Sequence, residues 1–194
     1  METLMNVLQW INDHVIEEYL AKGGVEAHLP LQRPFEPTKS LREKDAIIVA
    51  MLNSVGHEDV SFCVTDPDKK DNPIVFASDG FCHFTGYSAE EIEGKNCRFL
   101  QGPGTKKDQV QVIRDAIQNE TEASVNLLNY RKDGSSFNNQ FFIMPMYSDE
   151  DNHDASSKPK TLQYFIGIQC SVERLAPAQH PKNVGWIYTQ GLHA

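Results

Sequence analysis

The chain has 194 residues, 40% of them hydrophobic and 23% charged, which is typical of a soluble globular protein with one domain and flanking segments or with two small domains. Its net charge of −9 leaves no surplus of Lys and Arg to neutralise phosphates, which argues against general nucleic-acid binding. No apolar run approaches the roughly 20 residues of a membrane helix, and the N-terminus lacks the pattern of a targeting signal.

The N-terminal part of the chain predicts helices. Apolar residues recur every three or four positions over residues 1–22, which indicates an amphipathic helix. Prolines in residues 29–37 indicate a linker. Ser40 followed by Glu43 predicts a capping box at the start of a second helix. We therefore expect residues 1–57 to form a helical N-terminal extension.

Residues 58–173 predict an α+β domain. The predicted elements, in chain order, are strands at Val60–Thr65 and 73–78, short helical turns over 80–105, a helix at Lys107–Asn119, and strands at Ala123–Lys132, Ser136–Tyr147 and Leu162–Val172. Asp133-Gly134 predicts a tight hairpin turn between the first two of the last three strands. This order predicts a five-stranded antiparallel sheet with helices on one face. Residues 148–160 predict a polar loop, and residues 174–194 predict a short tail.

The cysteines are spread along the chain without a CxxC pair: Cys63, Cys82, Cys97 and Cys170. Such spacing suits neither a disulfide framework nor a zinc site. It favours reduced thiols in an intracellular protein. We therefore expect a cytoplasmic location and no metal.

Residues 94–101 read Gly-Lys-Asn-Cys-Arg-Phe-Leu-Gln and resemble the GxNCRFLQ hallmark of the light-oxygen-voltage (LOV) branch of the PAS superfamily. Further segments match the family in the same order: Phe62–Pro67, Asn72–Ser78, Ile113–Ile117, Asn129-Tyr130 and Gln163–Gln169. The resemblance implies a PAS/LOV fold whose helices and sheet form a flavin pocket. It also implies a blue-light photoreceptor.

Cys97 is the candidate reactive residue. By itself, a free cysteine is usually a small buried apolar residue. The resemblance implies instead that its thiol faces flavin carbon C(4a), bonds to it after blue light produces the flavin triplet while N(5) gains a proton, and is released thermally. This reaction is a reversible switch and not an enzymatic turnover. A hydrolase is disfavoured, because no acid–base partner is apparent and the nearest histidine is His83.

Amide side chains in the β-rich runs are candidate flavin ligands. Asn carries a donor and an acceptor, which suits the alternating polar edge of a flavin, although Asn is also common in turns and at edges. The resemblance implies that Asn129 and Asn139 bind this edge, and strand alternation points Asn138 away. Gln169 lies in an apolar run, where it could bond to backbone. The resemblance implies that it bonds to flavin O(4) and N(5) and relays the signal.

Arg98 and Arg114 are candidates for a phosphate clamp, because a guanidinium fork suits an anion. Each alone could equally be a surface arginine paired with Asp115 or Glu120. The resemblance favours the clamp, and it implies that Asn96 and Gln101 bind the ribityl hydroxyls and nearby ring atoms. The rest of the predicted cofactor-binding set is Cys63, Thr65, Asn72, Leu100, Val110, Ile117, Phe141, Ile143 and Phe165. The short stretch between Gln101 and Lys106 favours FMN over FAD.

The N-terminal helices are the candidates for signal output, because little chain follows Val172. They could pack on the outer face of the sheet, could pair with a second copy in a homodimer, or could only cover exposed sheet. The downstream protein partner is not identified by the sequence. Two other functions stay open: a flavoprotein that carries electrons in the dark, and a PAS-type interaction module with another ligand.

Overall fold

The computed structural model describes residues 33–53, 60–148 and 161–171. The helices are α1 (Glu43–Leu52), α2 (Asp79–Thr85), α3 (Ala89–Ile92) and α4 (Lys107–Gln118), with a 3-10 helix at Cys97–Leu100. The strands are β1 (Ser61–Thr65), β2 (Ile74–Ala77), β3 (Ala123–Tyr130), β4 (Ser136–Ser148) and β5 (Thr161–Ser171). The predicted helix at 1–22, the predicted tail at 174–194 and most of the predicted loop at 148–160 lie outside the described residues.

The strands form one antiparallel sheet in the order β2-β1-β5-β4-β3. The last strand in the chain therefore occupies the centre of the sheet. The turn between β3 and β4 closes with a hydrogen bond of 3.0 Å from the Gly134 amide to the Arg131 carbonyl. Gly134 has a φ of +84°. A residue with a side chain would be strained in this backbone conformation, so the predicted hairpin depends on this glycine. The predicted α+β fold class is confirmed.

Side chains of successive β5 residues point to opposite faces of the sheet. Tyr164, Ile166 and Ile168 point to one face, the outer face, where they pack in a cluster with residues of the N-terminal segment. That segment contributes four buried residues: Phe35, Ile48, Val49 and Leu52. Phe165 points to the opposite, inner face, where α4 packs. Residues 33–53 thus cover the outer face, which is one of the predicted alternatives.

Helix α1 begins at Glu43 with Arg42 as its N-cap, and no side chain caps it. The predicted capping box at Ser40 is therefore wrong. Tertiary contacts fix the start of the helix instead. The Arg42 amide donates to the Tyr147 carbonyl at 2.8 Å, and the Arg42 guanidinium donates to Asp45 at 2.6 and 3.1 Å. The bond to Tyr147 attaches the start of α1 to the end of β4, and the bonds to Asp45 hold the Arg42 side chain against the first turn.

Helix α4 lies against β3 and β4. Its buried Ala116 and half-buried Ile113 and Ile117 pack in the cluster of the inner face. Helix α2 begins at the N-cap Ser78, whose hydroxyl accepts from the Phe81 amide and donates to the Val60 carbonyl. Helices α2 and α4 therefore lie on the inner face of the sheet. A cleft separates this face from the 3-10 helix.

Candidate functional site

The cleft is lined by residues of β1, β3, β4, β5, the 3-10 helix and α4. About 650 Å³ of space between its walls is not filled by protein atoms, and part of this space is open to solvent. Apolar side chains form its walls, and several amides and an arginine face it. The cleft is therefore suited to a flat, largely apolar ligand with a polar edge.

Most residues predicted to bind a cofactor line this cleft. The polar members are Thr65, Asn72, Asn96, Arg98, Gln101, Asn129, Asn139 and Gln169. The apolar and thiol members are Cys63, Cys97, Leu100, Ile117, Phe141, Ile143 and Phe165. They come from segments more than 100 residues apart in the sequence, which the sheet brings together.

Val110 and Arg114 are not among the lining residues. Val110 is buried on α4, and Arg114 is exposed on the same helix. The cleft has in addition three lining residues that were not predicted: Ile113, Leu127 and Gly167. Each lies on the same face as a predicted residue, since Ile113 precedes Ile117 by one helical turn and the other two precede Asn129 and Gln169 by two strand positions. That periodicity could have found all three.

Unsatisfied oxygens face the cleft. In the described part of the chain, three buried side-chain atoms have no hydrogen-bond partner: Thr65 Oγ1, Asn72 Oδ1 and Asn139 Oδ1. All three residues line the cleft. A buried polar group without a partner costs roughly 1–3 kcal/mol, so their concentration in one place points to a ligand that supplies donors.

Two asparagines form a short chain of amides at the inner face. Asn139 Nδ2 donates to Asn129 Oδ1 at 2.9 Å, and Asn129 Nδ2 donates to the Leu100 carbonyl at 3.1 Å. Because Asn129 also ties β3 to the end of the 3-10 helix, both amides have fixed directions. The neighbouring Asn138 is exposed on the opposite side of β4, as strand alternation predicts.

Local hydrogen bonds fix the backbone around Cys97. Asn96 caps the 3-10 helix, with its Oδ1 accepting from the Arg98 amide at 3.1 Å and its Nδ2 donating to the Asp71 carbonyl at 2.7 Å. The Ile74 amide of β2 donates to the Lys95 carbonyl at 2.8 Å. The helix that starts at Cys97 is thereby attached to the sheet, and its half-buried thiol lines the cleft.

The Cys97 sulfur has a second thiol beside it. Cys63 Sγ of β1 lies 3.9 Å from Cys97 Sγ. The hydrogen bond from Cys63 lowers the pKa of Cys97, and the charge of Arg98 lowers it further. The same contact and burial raise the pKa of Cys63. Of the two thiols, Cys97 is therefore the one that loses its proton more readily.

Arg98 lies at the mouth of the cleft and is already paired. Its guanidinium forms a two-pronged contact with the Asp71 carboxylate, with Nη2 to Oδ1 at 2.8 Å, and the contact lowers the pKa of Asp71. Both side chains are more than half exposed. Because exposed ion pairs are weak, Arg98 can exchange this carboxylate for another anion. Arg114 forms no ion pair within the described ranges.

Gln169 is buried in β5 at the centre of the sheet. Its Oε1 accepts from Ser61 Oγ of β1 at 3.5 Å, and it stands beside Phe141 of β4. The amide therefore lies where three strands meet. Among the described residues, no cluster of His, Cys, Asp and Glu could hold a metal ion. None of the described helices is long and apolar enough to cross a membrane.

The sequence and the fold were compared with known proteins. Residues 59–156 match the PAS domain family. The blue-light photoreceptor of Listeria monocytogenes is 46% identical over 129 residues, which are 66% of this chain and 45% of that protein. Phototropin-1A of Oryza sativa subsp. japonica is 49% identical over 109 residues, which are 56% of this chain and 11% of that protein.

Solved structures agree with these matches. One that concerns a flavin analogue and the light-oxygen-voltage domain mechanism has a TM-score of 0.57 and 40% identity, covering 66% of this chain and 86% of that one. The dark structure of the blue-light photoreceptor Aureochrome1 LOV has a TM-score of 0.56 and 33% identity, covering 84% of this chain and 100% of that one.

The chain belongs to the PAS domain family, and within that family it is a LOV domain. The predicted resemblance is confirmed. The chain spans less than half the length of the two named relatives, 45% of the Listeria protein and 11% of the rice phototropin.

Proposed function

We propose that this protein is a blue-light sensor that binds FMN, and that on illumination Cys97 Sγ forms a reversible bond to flavin carbon C(4a). The flavin supplies the light absorption and the electrophilic carbon. The protein supplies position, so the reaction is a switch without catalytic turnover. The observation that carries the proposal is the arrangement of the cleft, in which a thiol with a lowered pKa and three unpartnered oxygens line one apolar space.

The donors and acceptors of the cleft fit a flavin. Asn139 Oδ1 is a buried acceptor without a partner, and a flavin N–H would satisfy it. Asn129 holds Asn139 in place through their amide contact, and Asn96 and Gln101 face the same space, where ribityl hydroxyls could bond to them. We assign the phosphate to Arg98, which would exchange Asp71 for it, with Arg114 as the second arm.

FMN is favoured over FAD by the segment between the 3-10 helix and α4. Only residues 101–106 connect these elements, and this segment is held against β3. The Thr105 hydroxyl donates to the Leu128 carbonyl, and the Gly104 amide donates to the Tyr130 hydroxyl at 2.9 Å. A connection so short and so fixed provides no chain to enclose an adenine.

Illumination of the purified full chain tests the proposal. We expect a yellow protein whose flavin absorption band falls under blue light and returns in the dark. A yellow protein that does not bleach would indicate an electron-carrying flavoprotein instead. A colourless protein that does not take up added FMN would indicate an interaction module with another ligand.

Asn139→Ala should weaken flavin binding by about fivefold, because one hydrogen bond of about 1 kcal/mol is lost and tenfold in affinity is 1.4 kcal/mol. Asn138→Ala is the matched control, since Asn138 is adjacent but exposed on the other side of β4. We expect it to leave the affinity unchanged. Titration of the flavin-free proteins with FMN, followed by flavin fluorescence, measures both. Equal affinities for the two variants would contradict the assignment of Asn139.

We propose that the signal leaves through the sheet to the N-terminal segment. Gln169 lines the cleft, whereas the preceding residue, Ile168, packs on the outer face in the cluster that contains Ile48 and Leu52 of α1. An amide can exchange its donor and acceptor ends when the flavin gains a proton at N(5). A shift of β5 at Gln169 would then also move Ile168, whose side chain points to the opposite face and packs in the cluster with α1.

Gln169→Leu separates this signal from the photochemistry. We expect the variant to bleach under blue light but to lose the light-dependent change in hydrogen exchange of residues 33–53. Gln140→Leu is the control, because the Gln140 amide bonds to Ser124 Oγ at 2.8 Å and does not line the cleft. It should keep the change. Identical exchange of residues 33–53 in light and dark in the unmodified protein would refute this route.

The remaining assignments follow from the sequence. We propose a LOV domain at residues 58–173, a helical extension with its linker at 1–57, and a short tail at 174–194. A homodimer through the extension or the sheet face, a downstream protein partner and a cytoplasmic location complete the proposal. Measurement of molecular size in the dark and in light tests the homodimer.

A further inference from the structure

The photochemical reaction uses one thiol of the cleft, but the cleft has two. Cys63 is 1% exposed on β1, and its Sγ lies 3.9 Å from Cys97 Sγ. Gly167 of β5 is paired with Cys63 across the sheet, and a Cβ built on Gly167 would lie 3.5 Å from Cys63 Sγ. The backbone of β5 therefore packs against the Cys63 side chain. Cys63 therefore has a fixed position beside the reactive sulfur, although the two residues are 34 positions apart in the sequence.

We propose that Cys63 and Cys97 form an oxidisable dithiol pair, which a peroxide converts into a disulfide bond, and that this bond removes Cys97 from the light reaction. The consequence for the light reaction rests on the proposed function. The formation of the bond does not, because it requires only the two sulfurs and the oxidant.

The chemistry proceeds in two balanced steps. The Cys97 thiolate attacks hydrogen peroxide, so that a sulfur–oxygen bond forms, the oxygen–oxygen bond breaks, and the departing hydroxide takes up the thiol proton as water. The Cys63 sulfur then attacks the Cys97 sulfur, a sulfur–sulfur bond forms, and the oxygen leaves as a second water. The two thiols together lose two electrons and two protons, and the peroxide gains them. A small dithiol reverses the reaction by exchange.

The roles of the two thiols follow from their surroundings. Cys97 attacks first, because the hydrogen bond from Cys63 and the charge of Arg98 lower its pKa and because it is half-buried at the cleft. Cys63, which is buried with a raised pKa, is the resolving thiol. A disulfide needs about 2.0 Å between the sulfurs, so they must approach by about 2 Å. The proposal requires this approach to come from rotation of the Cys97 side chain, which lines the cleft.

The other cysteines do not compete for this bond. Among the described residues, Cys63 and Cys97 are the two cysteine sulfurs in contact. Burial raises the pKa of Cys170 to about 11, and burial also raises the pKa of Cys82. Both are therefore poor nucleophiles near neutral pH.

The test uses the full chain with Cys82→Ala and Cys170→Ala, loaded with FMN and treated with hydrogen peroxide in the dark. We expect an intact mass lower by two hydrogens, simultaneous loss of both alkylatable thiols, and a cross-link between the peptides of Cys63 and Cys97. The fraction of flavin that bleaches should fall in proportion to the cross-linked fraction. Dithiothreitol should restore both. In Cys63→Val of the same background, Cys97 should gain oxygen and no cross-link should form.

Three results would overturn the inference: oxygen added to Cys97 while Cys63 stays free, cross-links only between molecules, or normal bleaching of fully cross-linked protein. Peptide mapping of the peroxide-treated wild-type chain gives the same answer if the variants fold poorly. Reduced protein that never bleaches would instead refute the proposed function. The mass measurement would still decide whether the two sulfurs join.

Discussion

Cys97→Ala should bind FMN, fluoresce, and show no reversible bleaching under blue light. The substitution removes the sulfur but leaves the other lining residues of the cleft unchanged. The backbone at position 97 is held by its neighbours, through the Asn96 side chain and the bond between Ile74 and Lys95. Flavin affinity should therefore change little, while the yield of the bleached form falls to the detection limit.

Absorption and fluorescence before and after a blue-light pulse measure this effect. Cys82→Ala is the matched control, because Cys82 is a half-buried cysteine that does not line the cleft. We expect it to bleach and recover as the wild type does. Continued ordinary bleaching and recovery of Cys97→Ala would mean that another group, such as Cys63, is the nucleophile.

The fold and the cleft differ in how far the sequence predicts them. Strand alternation separated Asn139 from Asn138, because the two-residue period of a strand is a local property. Cys97 was identified through the resemblance of its segment to GxNCRFLQ, in which Asn96 and Arg98 are its neighbours in the chain. The resemblance to the family therefore predicted most of the lining residues, and strand alternation told neighbouring residues apart.

Contacts between distant segments were not predicted. The pairing of β1 with β5 places Gly167 opposite Cys63, and only this register brings the small residue and the thiol together. The contact of Cys63 with Cys97 and the pairing of Arg98 with Asp71 likewise join separate loops and strands. Strand periodicity indicates the face that a side chain occupies, but it does not identify the residue opposite it on a strand distant in the sequence.

The start of α1 was mispredicted for a related reason. Ser40 and Glu43 have the spacing of a capping box, yet the helix begins at Glu43 with Arg42 as N-cap. A capping box stabilises a helix start by about 1 kcal/mol. At Arg42, a buried ion pair and a backbone hydrogen bond to β4 together stabilise the alternative start more strongly. The tertiary contacts therefore decide where the helix begins.

Asp45→Ala should lower the free energy of unfolding by about 3–5 kcal/mol. Asp45 is 1% exposed and accepts from the Arg42 guanidinium and from the Tyr147 amide at 2.7 Å. Its removal leaves the buried Arg42 cation and the partly buried Tyr147 amide without this partner. Urea unfolding of the flavin-free protein, followed by circular dichroism, measures the loss without the stabilisation that a bound ligand adds.

Two controls separate the ion pair from the helix itself. Ile47→Ala changes a side chain of α1 that is 53% exposed, so it should alter stability by less than about 0.5 kcal/mol. The double variant Arg42→Met, Asp45→Leu removes both charges together and should be more stable than Asp45→Ala, because no buried charge is left unpaired. If the double variant is as unstable as Asp45→Ala, then Asp45 stabilises the protein through its hydrogen bond from the Tyr147 amide and not through the ion pair with Arg42.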